Sequence, residues 1–265
     1  MTGAGNDFVV IDNREGLVPD GSATAKRLCN RHWGIGADGL LLLEKSRRGA
    51  YRMMYYNADG SYGGMCGNGG RCMALFAVQH GIAPTDHNFE SLDYEYHAVV
   101  RDGSVTLSMK EPRDLKINLV LPIGGKKIPA MYVDTGSPHV VIIARRVARK
   151  GLSEVDVVEI GRKVRNMKRF APNGANVNFI EMNGHNSLKV RTYERGVEDE
   201  TLACGTGSIA AAVAGCEAGM VKPPVKIIPR SGKMLVVDFR KDGSGWSGTT
   251  LSGPAESLFQ GEFVI

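Results

Sequence analysis

Apolar positions recur along the chain in two successive series that predict the same elements in the same order. In the first, "FVVID" from Phe8 reads as a strand, and "SATAKRLCNRHW" has helical period with Ser22 as its N-cap. "GIGADG" then turns into the strand "LLLLE", and "YRMMYYN" is a strand ending at Asn57. In the second, "HVVII" from His139 is a strand and "VVEIGRKVRNMKRF" a helix. "APNGAN" turns into the strand "VNFIE", and "SLKVRTYE" is a strand ending at Glu194. Each series then crosses a polar turn, "ADGSYGGM" or "RGVEDETLA", and reaches a cysteine in a Cys-Gly-x-Gly turn that opens an apolar helix.

Those cysteines, Cys66 and Cys204, lie 138 positions apart, against an offset of 131 at the first strands. A drift of a few residues is what loop insertions produce, so the chain reads as an internal duplication. Two similar halves are expected to pack about a pseudo-twofold axis, with equivalent residues facing each other across a cleft that holds the active site. Hairpin strands follow each cysteine helix: "SLDYEYHAVV" and "SVTLSMK" about Asp102-Gly103, then "VKIIPRSGKMLVVDF" and "GWSGTTLSG". Strands outnumber helices, so the expected class is α+β, with the apolar helix after each cysteine buried inside its half. Proline and glycine between Pro112 and Pro129 mark the boundary. The N-terminal half is then residues 1–115 with a C-terminal strand at 254–265, and carries Cys66. The C-terminal half is residues 116–253, and carries Cys204.

Composition narrows the class. With 43% hydrophobic and 23% charged residues, the 265-residue chain is ordinary for a globular protein. No apolar run approaches the ~20 residues of a membrane helix, and no basic segment precedes an apolar core at the start, so neither membrane nor secretion is expected. Five scattered cysteines suggest no disulfide framework and point to a reducing cytoplasm. Net charge is +5, densest in "ARRVARKGLSEVDVVEIGRKVRNMKRF". Val157, Ile160 and Val164 recur there at helical spacing and no aromatic residues interleave, so the stretch reads as a solvated helix face rather than a nucleic-acid site.

Candidate chemistry centres on the repeated cysteines. A helix apolar all round is buried, and its N-terminus offers unpaired N–H groups and a positive dipole end to an anion. Flanking glycines allow close approach, and a cysteine there is expected to be more acidic than a free thiol. Two such thiols suit inversion at a carbon next to a carboxylate: one thiolate removes the α-proton from one face and the opposite thiol protonates the other. Cys29, Cys72 and Cys216 read as small apolar fillers. "GIGADG" follows a helix and precedes a strand, the reverse of a dinucleotide fingerprint. Cys66 and Cys72 are no zinc pair, so no metal is expected.

"GAGNDFVVID", "NRHWGIGADG", "NADGS", "CGNGGRC", "YERG" and "ACGTGS" occur in the order found in the diaminopimelate epimerases, and over essentially its whole length the chain resembles that family. The resemblance implies two pseudo-symmetric halves, each a strand barrel or sheet around a central helix. It also implies a cofactor-independent, cytoplasmic isomerase of lysine and peptidoglycan precursor synthesis that interconverts LL- and meso-diaminopimelate, and it leaves a homodimer open. It implies that Cys66 and Cys204 are the acid–base pair, with His139 and Glu194 tuning them. Backbone N–H groups of Gly67, Asn68, Gly205 and Thr206 would hold the carboxylate at the reacting carbon. Asn6, Asn57 and Asn176 would bind the substrate's amino and carboxylate groups, Arg195 the distal carboxylate, and Glu194 an ammonium. The bland alternatives are turn asparagines at Asn57 and Asn68, a surface Glu194–Arg195 ion pair, and an ordinary strand histidine at His139.

The chain departs from the family pattern in several places. Met1 directly precedes Thr2-Gly3, so the family's short first strand is lost or the start lies elsewhere. Gly136-Ser137-Pro138-His139 stands where the family commonly has Gly-Asn-Pro-His; "GVEDET" is one residue longer than usual, and Gly39 replaces a glutamine found in some members. Two rivals stay open: a proline-racemase-type isomerase, against which Arg195 and "YERG" argue, and a thiol redox protein using the same cysteines as a dithiol.

Overall fold

The structure, a computed structural model, describes residues 1–243 and 245–263. It divides into two compact units, Met1–Ser108 with Ser252–Ile265, and Met109–Leu251. Strand outweighs helix, 41% against 20%, which places the chain in the α+β class.

The first unit runs β1 (Thr2–Gly3), β2 (Asn6–Asp12), α1 (Gly21–Leu28), β3 (Gly39–Glu44), β4 (Arg52–Asn57), α2 (Gly67–Gln79), β5 (Asp86–Ser91), β6 (Tyr94–Arg101) and β7 (Ser104–Ser108). β2 and β3 are parallel, with Phe8 opposite Gly39 and Asp12 opposite Leu43, so α1 is their crossover. β3 pairs antiparallel with β4, and β4 parallel with β5. The four leucines of β3 are all buried because helices cover both its faces. Leu40 and Leu42 pack with Ala25 and Leu28 of α1, while Leu41 lies against Gly69 of α2. Burying each such side chain stabilises the fold by about 1.5–3 kcal/mol. α2 packs against β1, β2, β3, β4, β6 and β7. The strand path returns to its start through Thr2, which exchanges two backbone hydrogen bonds with Glu256 at 2.8 and 2.9 Å.

The second unit repeats this plan. It runs β8 (Arg113–Ile123), β9 (Lys126–Asp134), β10 (Pro138–Ile143), α3 (Val157–Arg165), β11 (Asn176–Met182), β12 (Ser187–Glu194), β13 (Asp199–Thr201), α4 (Gly205–Glu217), β14 (Val225–Ile228) and β15 (Leu235–Asp242). β16 (Gly245–Pro254) follows, and its last residues belong to the first unit. β10 and β11 are parallel around α3, β11 and β12 antiparallel, and β12 and β14 parallel. The duplication therefore extends from element order to pairing sense. α4 is enclosed by β9, β10, β11, β12, β14 and β15, and Ile209 through Ala214 are inaccessible to solvent.

Local expectations needed correction at six places. Asp20, not Ser22, caps α1, its Oδ1 accepting from the Ala23 N–H at 3.0 Å. That helix stops at Leu28, since Asn30 Oδ1 draws the N–H groups of His32 and Trp33 into a turn. α3 likewise stops at Arg165, short of Phe170. "SLDYEYHAVV" is not one strand: Leu92 takes φ +56° and turns β5 into β6. The stretch from Pro112 to Pro129 is a long hairpin turning at Gly124-Gly125. Pro122 lies on the edge strand β8, and Pro129 lies beyond the residues of β9 that β10 pairs, so neither removes a ladder bond between central strands. At the N-terminus a first strand survives as β1, paired with Asn6 and Asp7 through a turn at Ala4-Gly5.

Candidate active site

Each repeated cysteine caps its helix. Cys66 has φ −115° and ψ 121°, and its Sγ accepts from the Gly69 N–H at 3.5 Å. Cys204 has φ −119° and ψ 117°, and its Sγ accepts from the Gly207 N–H at 3.4 Å. These are N-cap geometries with sulfur in the place usually held by a hydroxyl or carboxylate oxygen. The sulfur satisfies the third N–H of each helix. The two before it, on Gly67 and Asn68 or on Gly205 and Thr206, are the ones an anion would use. A Cβ on Gly207 would lie 2.5 Å from Asn178 Oδ1 and 3.2 Å from Cys204 Sγ, so only glycine fits under the sulfur.

In the first unit the structure joins Asn6 to Asn68. Asn68 Nδ2 donates to Asn6 Oδ1 at 2.8 Å, and Asn6 Nδ2 donates to Asp38 Oδ2 at 2.7 Å. Arg31 bridges Asp38 and Asp7; burial pushes the Asp7 carboxyl up, but Arg31 and the hydrogen bonds from Asp38 together hold it below its ordinary range. Asn68 is buried in the first turn of α2, not in a loop. Asn57 is tied into its own turn, accepting from Tyr55 Oη at 2.7 Å and donating to Ser61 Oγ at 2.9 Å. Gly39 has no room for a side chain, since a Cβ would meet Tyr55 at 2.5 Å and the Tyr56 carbonyl at 2.7 Å.

In the second unit His139, Asn176 and Thr206 are brought together around Ser137. His139 is fully buried, and burial pushes its pKa down to about 3; Asp134 opposes that and Arg195 adds to it. The ring is therefore neutral near pH 7. Asn178 Nδ2 donates to Val140 O and to His139 Nδ1, both at 3.1 Å, which places the ring proton on Nε2. His139 Nε2 then donates to Ser137 Oγ at 3.0 Å, and Ser137 Oγ donates to Thr206 Oγ1 at 3.2 Å. Thr206 Oγ1 lies 3.5 Å from Cys204 Sγ. Either group can be the donor at that last contact, so the Thr206 hydroxyl is placed to donate to Cys204 Sγ whenever the sulfur is a thiolate.

Asn176 Oδ1 accepts from the Arg195 N–H at 2.8 Å and fixes the start of that loop. Among the described residues Arg195 makes no ion pair, so the surface pairing with Glu194 does not form. Glu194 Oε2 instead accepts from Thr201 Oγ1 at 2.9 Å, across the β12–β13 pairing that the lengthened "GVEDET" turn forms. Burial pushes the other three thiols up, Cys29 and Cys72 to about 12 and Cys216 to about 11, so they are neutral. Two residues the sequence reading passed over belong to these clusters. Asn178 gave no signal, being one polar residue in a buried strand. Arg71 gave one, a lone charge in an apolar helix.

Comparisons with known proteins show the family and the fold. A family model described as Diaminopimelate epimerase matches residues 1–118 and 131–257. The diaminopimelate epimerase of Chlorobaculum tepidum is 42% identical over 269 residues, covering 100% of both chains. That of Flavobacterium psychrophilum is 38% identical, covering 97% of this chain and 96% of its own. Among solved structures, a probable proline racemase from Agrobacterium radiobacter K84 superposes with a TM-score of 0.69. It covers 90% of this chain and 79% of its own at 16% identity, a likeness of fold.

Proposed function

Because the chain belongs to the diaminopimelate epimerase family, we propose that it is an isomerase interconverting LL- and meso-2,6-diaminopimelate by two-base proton transfer. The observation that carries this reading is the repeated cap: a cysteine sulfur accepting from the third N–H of each of two buried helices, with the first two N–H groups of the helix beside it. In the reaction as proposed, the substrate carboxylate lies at those N–H groups, and Cys66 and Cys204 address opposite faces of the α-carbon. One sulfur, as thiolate, takes the α-proton. The electron pair left on carbon spreads into the carboxylate, where the helix-end N–H groups stabilise the added charge. The other sulfur, as thiol, gives its proton to the opposite face. The product has inverted configuration, and thiolate and thiol have exchanged places.

Inversion needs both groups, since a single base returns the proton to the face it left. Asn6, Asn57, Asn68 and Asn176 bind the amino and carboxylate groups of the substrate in this reading, and Arg195 grips the distal carboxylate through its fork. Glu194 accepts from the ammonium, and His139 acts on Cys204 through Ser137 and Thr206. The substrate is a small molecule used in lysine and peptidoglycan precursor synthesis, in the cytoplasm.

Reduced protein mixed with LL-diaminopimelate in deuterated water tests the proposal. Loss of one α-proton signal with appearance of meso product is expected, and no turnover in Cys66→Ala or Cys204→Ala. Absence of exchange on diaminopimelate, with exchange on proline or 4-hydroxyproline, would move the reading to the racemases that share the fold.

A further inference from the structure

The two helix ends are alike in their caps but unequal in charge. Arg71 lies one turn into α2, and its repeat-equivalent position in α4 is Ile209. Both side chains are fully buried. The Arg71 guanidinium donates to Gly67 O at 3.1 Å, Asn68 Oδ1 at 2.7 Å and Pro254 O at 3.4 Å. All three acceptors are neutral, and among the described residues no carboxylate pairs with it. A buried cation without a counter-charge is costly, and the cost falls when a neighbouring group becomes an anion. The ionisable neighbours that interact with Arg71 are Cys66 and Cys72, and Cys72 is held neutral by its own burial.

The same guanidinium sets the sense of the asparagine pair. Arg71 can only donate and Asp38 only accept. Between them, Asn68 must turn its oxygen to Arg71 and its amide nitrogen to Asn6, and Asn6 must turn its nitrogen to Asp38. Each amide therefore has its oxygen engaged within the protein and presents its nitrogen as the donor.

We infer that Arg71 is a positioning residue that makes Cys66 the more acidic of the two capping thiols and fixes Asn68 and Asn6 as donors. The inference rests on the reading of Cys66 and Cys204 as the acid–base pair. Other ionisable groups also lie around α2. The Met1 ammonium donates to Phe8 O at 2.8 Å, and Asp7 and Asp38 are held by Arg31. Glu44, at the far end of β3, accepts from Asn13. β4 brings Tyr55, bonded to Asn57, Arg52 at its other end, and Tyr56, which packs with the α1 cluster. β6 brings buried Tyr96, with Tyr94, Glu95, His97 and Arg101 exposed, and β7 brings no ionisable side chain.

The test reads thiol acidity directly and needs no substrate. Cys66 is followed in a Cys204→Ser variant and Cys204 in a Cys66→Ser variant, by the rate of iodoacetamide alkylation against pH with peptide mass spectrometry. The midpoint at Cys66 is expected about one pH unit below that at Cys204, about tenfold more thiolate at equal pH. Arg71→Met should lower the thiolate fraction at Cys66 about tenfold and leave Cys204 unmoved, while Arg71→Lys, which keeps the charge, should retain most of it. Equal midpoints, the reverse order, or equal effects of Met and Lys overturn the inference. Should Arg71→Met fail to fold, the comparison of the two thiols with Arg71 in place decides alone. A protein with the expected profiles that does not epimerise diaminopimelate would sink the functional reading, not this one.

Discussion

Gly207 and Asn178 are fitted to each other: a Cβ on Gly207 would stand 2.5 Å from the Asn178 Oδ1, which already accepts from Thr192 Oγ1 at 2.9 Å. Asn178 cannot retreat, because its Nδ2 is held by His139 and the Val140 carbonyl. Gly207→Ala should therefore displace the first turn of α4 from its capping sulfur. The expected result is a folded protein destabilised by about 1–3 kcal/mol, with epimerase activity reduced at least about a hundredfold. Urea melts and initial rates check this, and near wild-type activity would show that the turn is not held as tightly as the contact implies.

Ser137 is the hinge of the donor chain from His139 to Thr206. Removing its hydroxyl leaves the buried His139 Nε2–H without its acceptor, worth about 1–3 kcal/mol, and frees the Thr206 hydroxyl from its orientation. Ser137→Ala should lower kcat about tenfold and raise the alkaline pH needed for Cys204 alkylation, with KM changed less. A pure KM effect would assign Ser137 to substrate binding instead.

His139 predicts the acid limb of stability. Its folded pKa is about 3 against an ordinary 6.5, so the unfolded chain binds the proton first. The neutral ring costs nothing above pH 6.5, and stability falls as pH drops from 6.5 towards 3, at up to about 1.4 kcal/mol per pH unit for one proton. Burial lowers His87 as well, so the contribution of His139 is the difference between two curves. Wild type and His139→Gln, melted at intervals from pH 7 to pH 4, should converge as pH falls. Parallel curves would mean that His139 takes up its proton without unfolding.

Arg195 keeps its guanidinium outside any ion pair among the described residues, while its backbone is fixed by Asn176. Arg195→Lys retains the charge but not the fork. KM for diaminopimelate should rise about tenfold with kcat within about threefold, because in the proposed reaction Arg195 grips the carboxylate distant from the reacting carbon. A kcat loss with unchanged KM would place Arg195 at the chemistry.

Much of the molecule was legible without coordinates. The two series of apolar positions gave the class and the duplication, because strand and helix periods are local properties of the chain. The glycine-flanked cysteines announced the starts of two helices for the same reason. Helix ends were read less well: Asp20 competed with Ser22 for the cap of α1, and Asn30 ended that helix early through side-chain bonds that periodicity does not register. The prolines of residues 112–129 read as a boundary because their cost in a strand depends on which neighbour pairs them, and that is known only once β8 lies at the edge.

What the sequence by itself determined was the inventory and its symmetry: two cysteines, two buried helices, and a motif order shared with one family. Only the tertiary structure decided how the second layer is wired. It holds His139 neutral, turns Ser137 into a link to Thr206, and buries Arg71 among neutral acceptors where its repeat partner is Ile209. The reason is physical. Burial and hydrogen-bond direction set the charge of each group, and both depend on residues distant in sequence, whereas the pattern that forms a strand or helix is written within a few neighbouring positions.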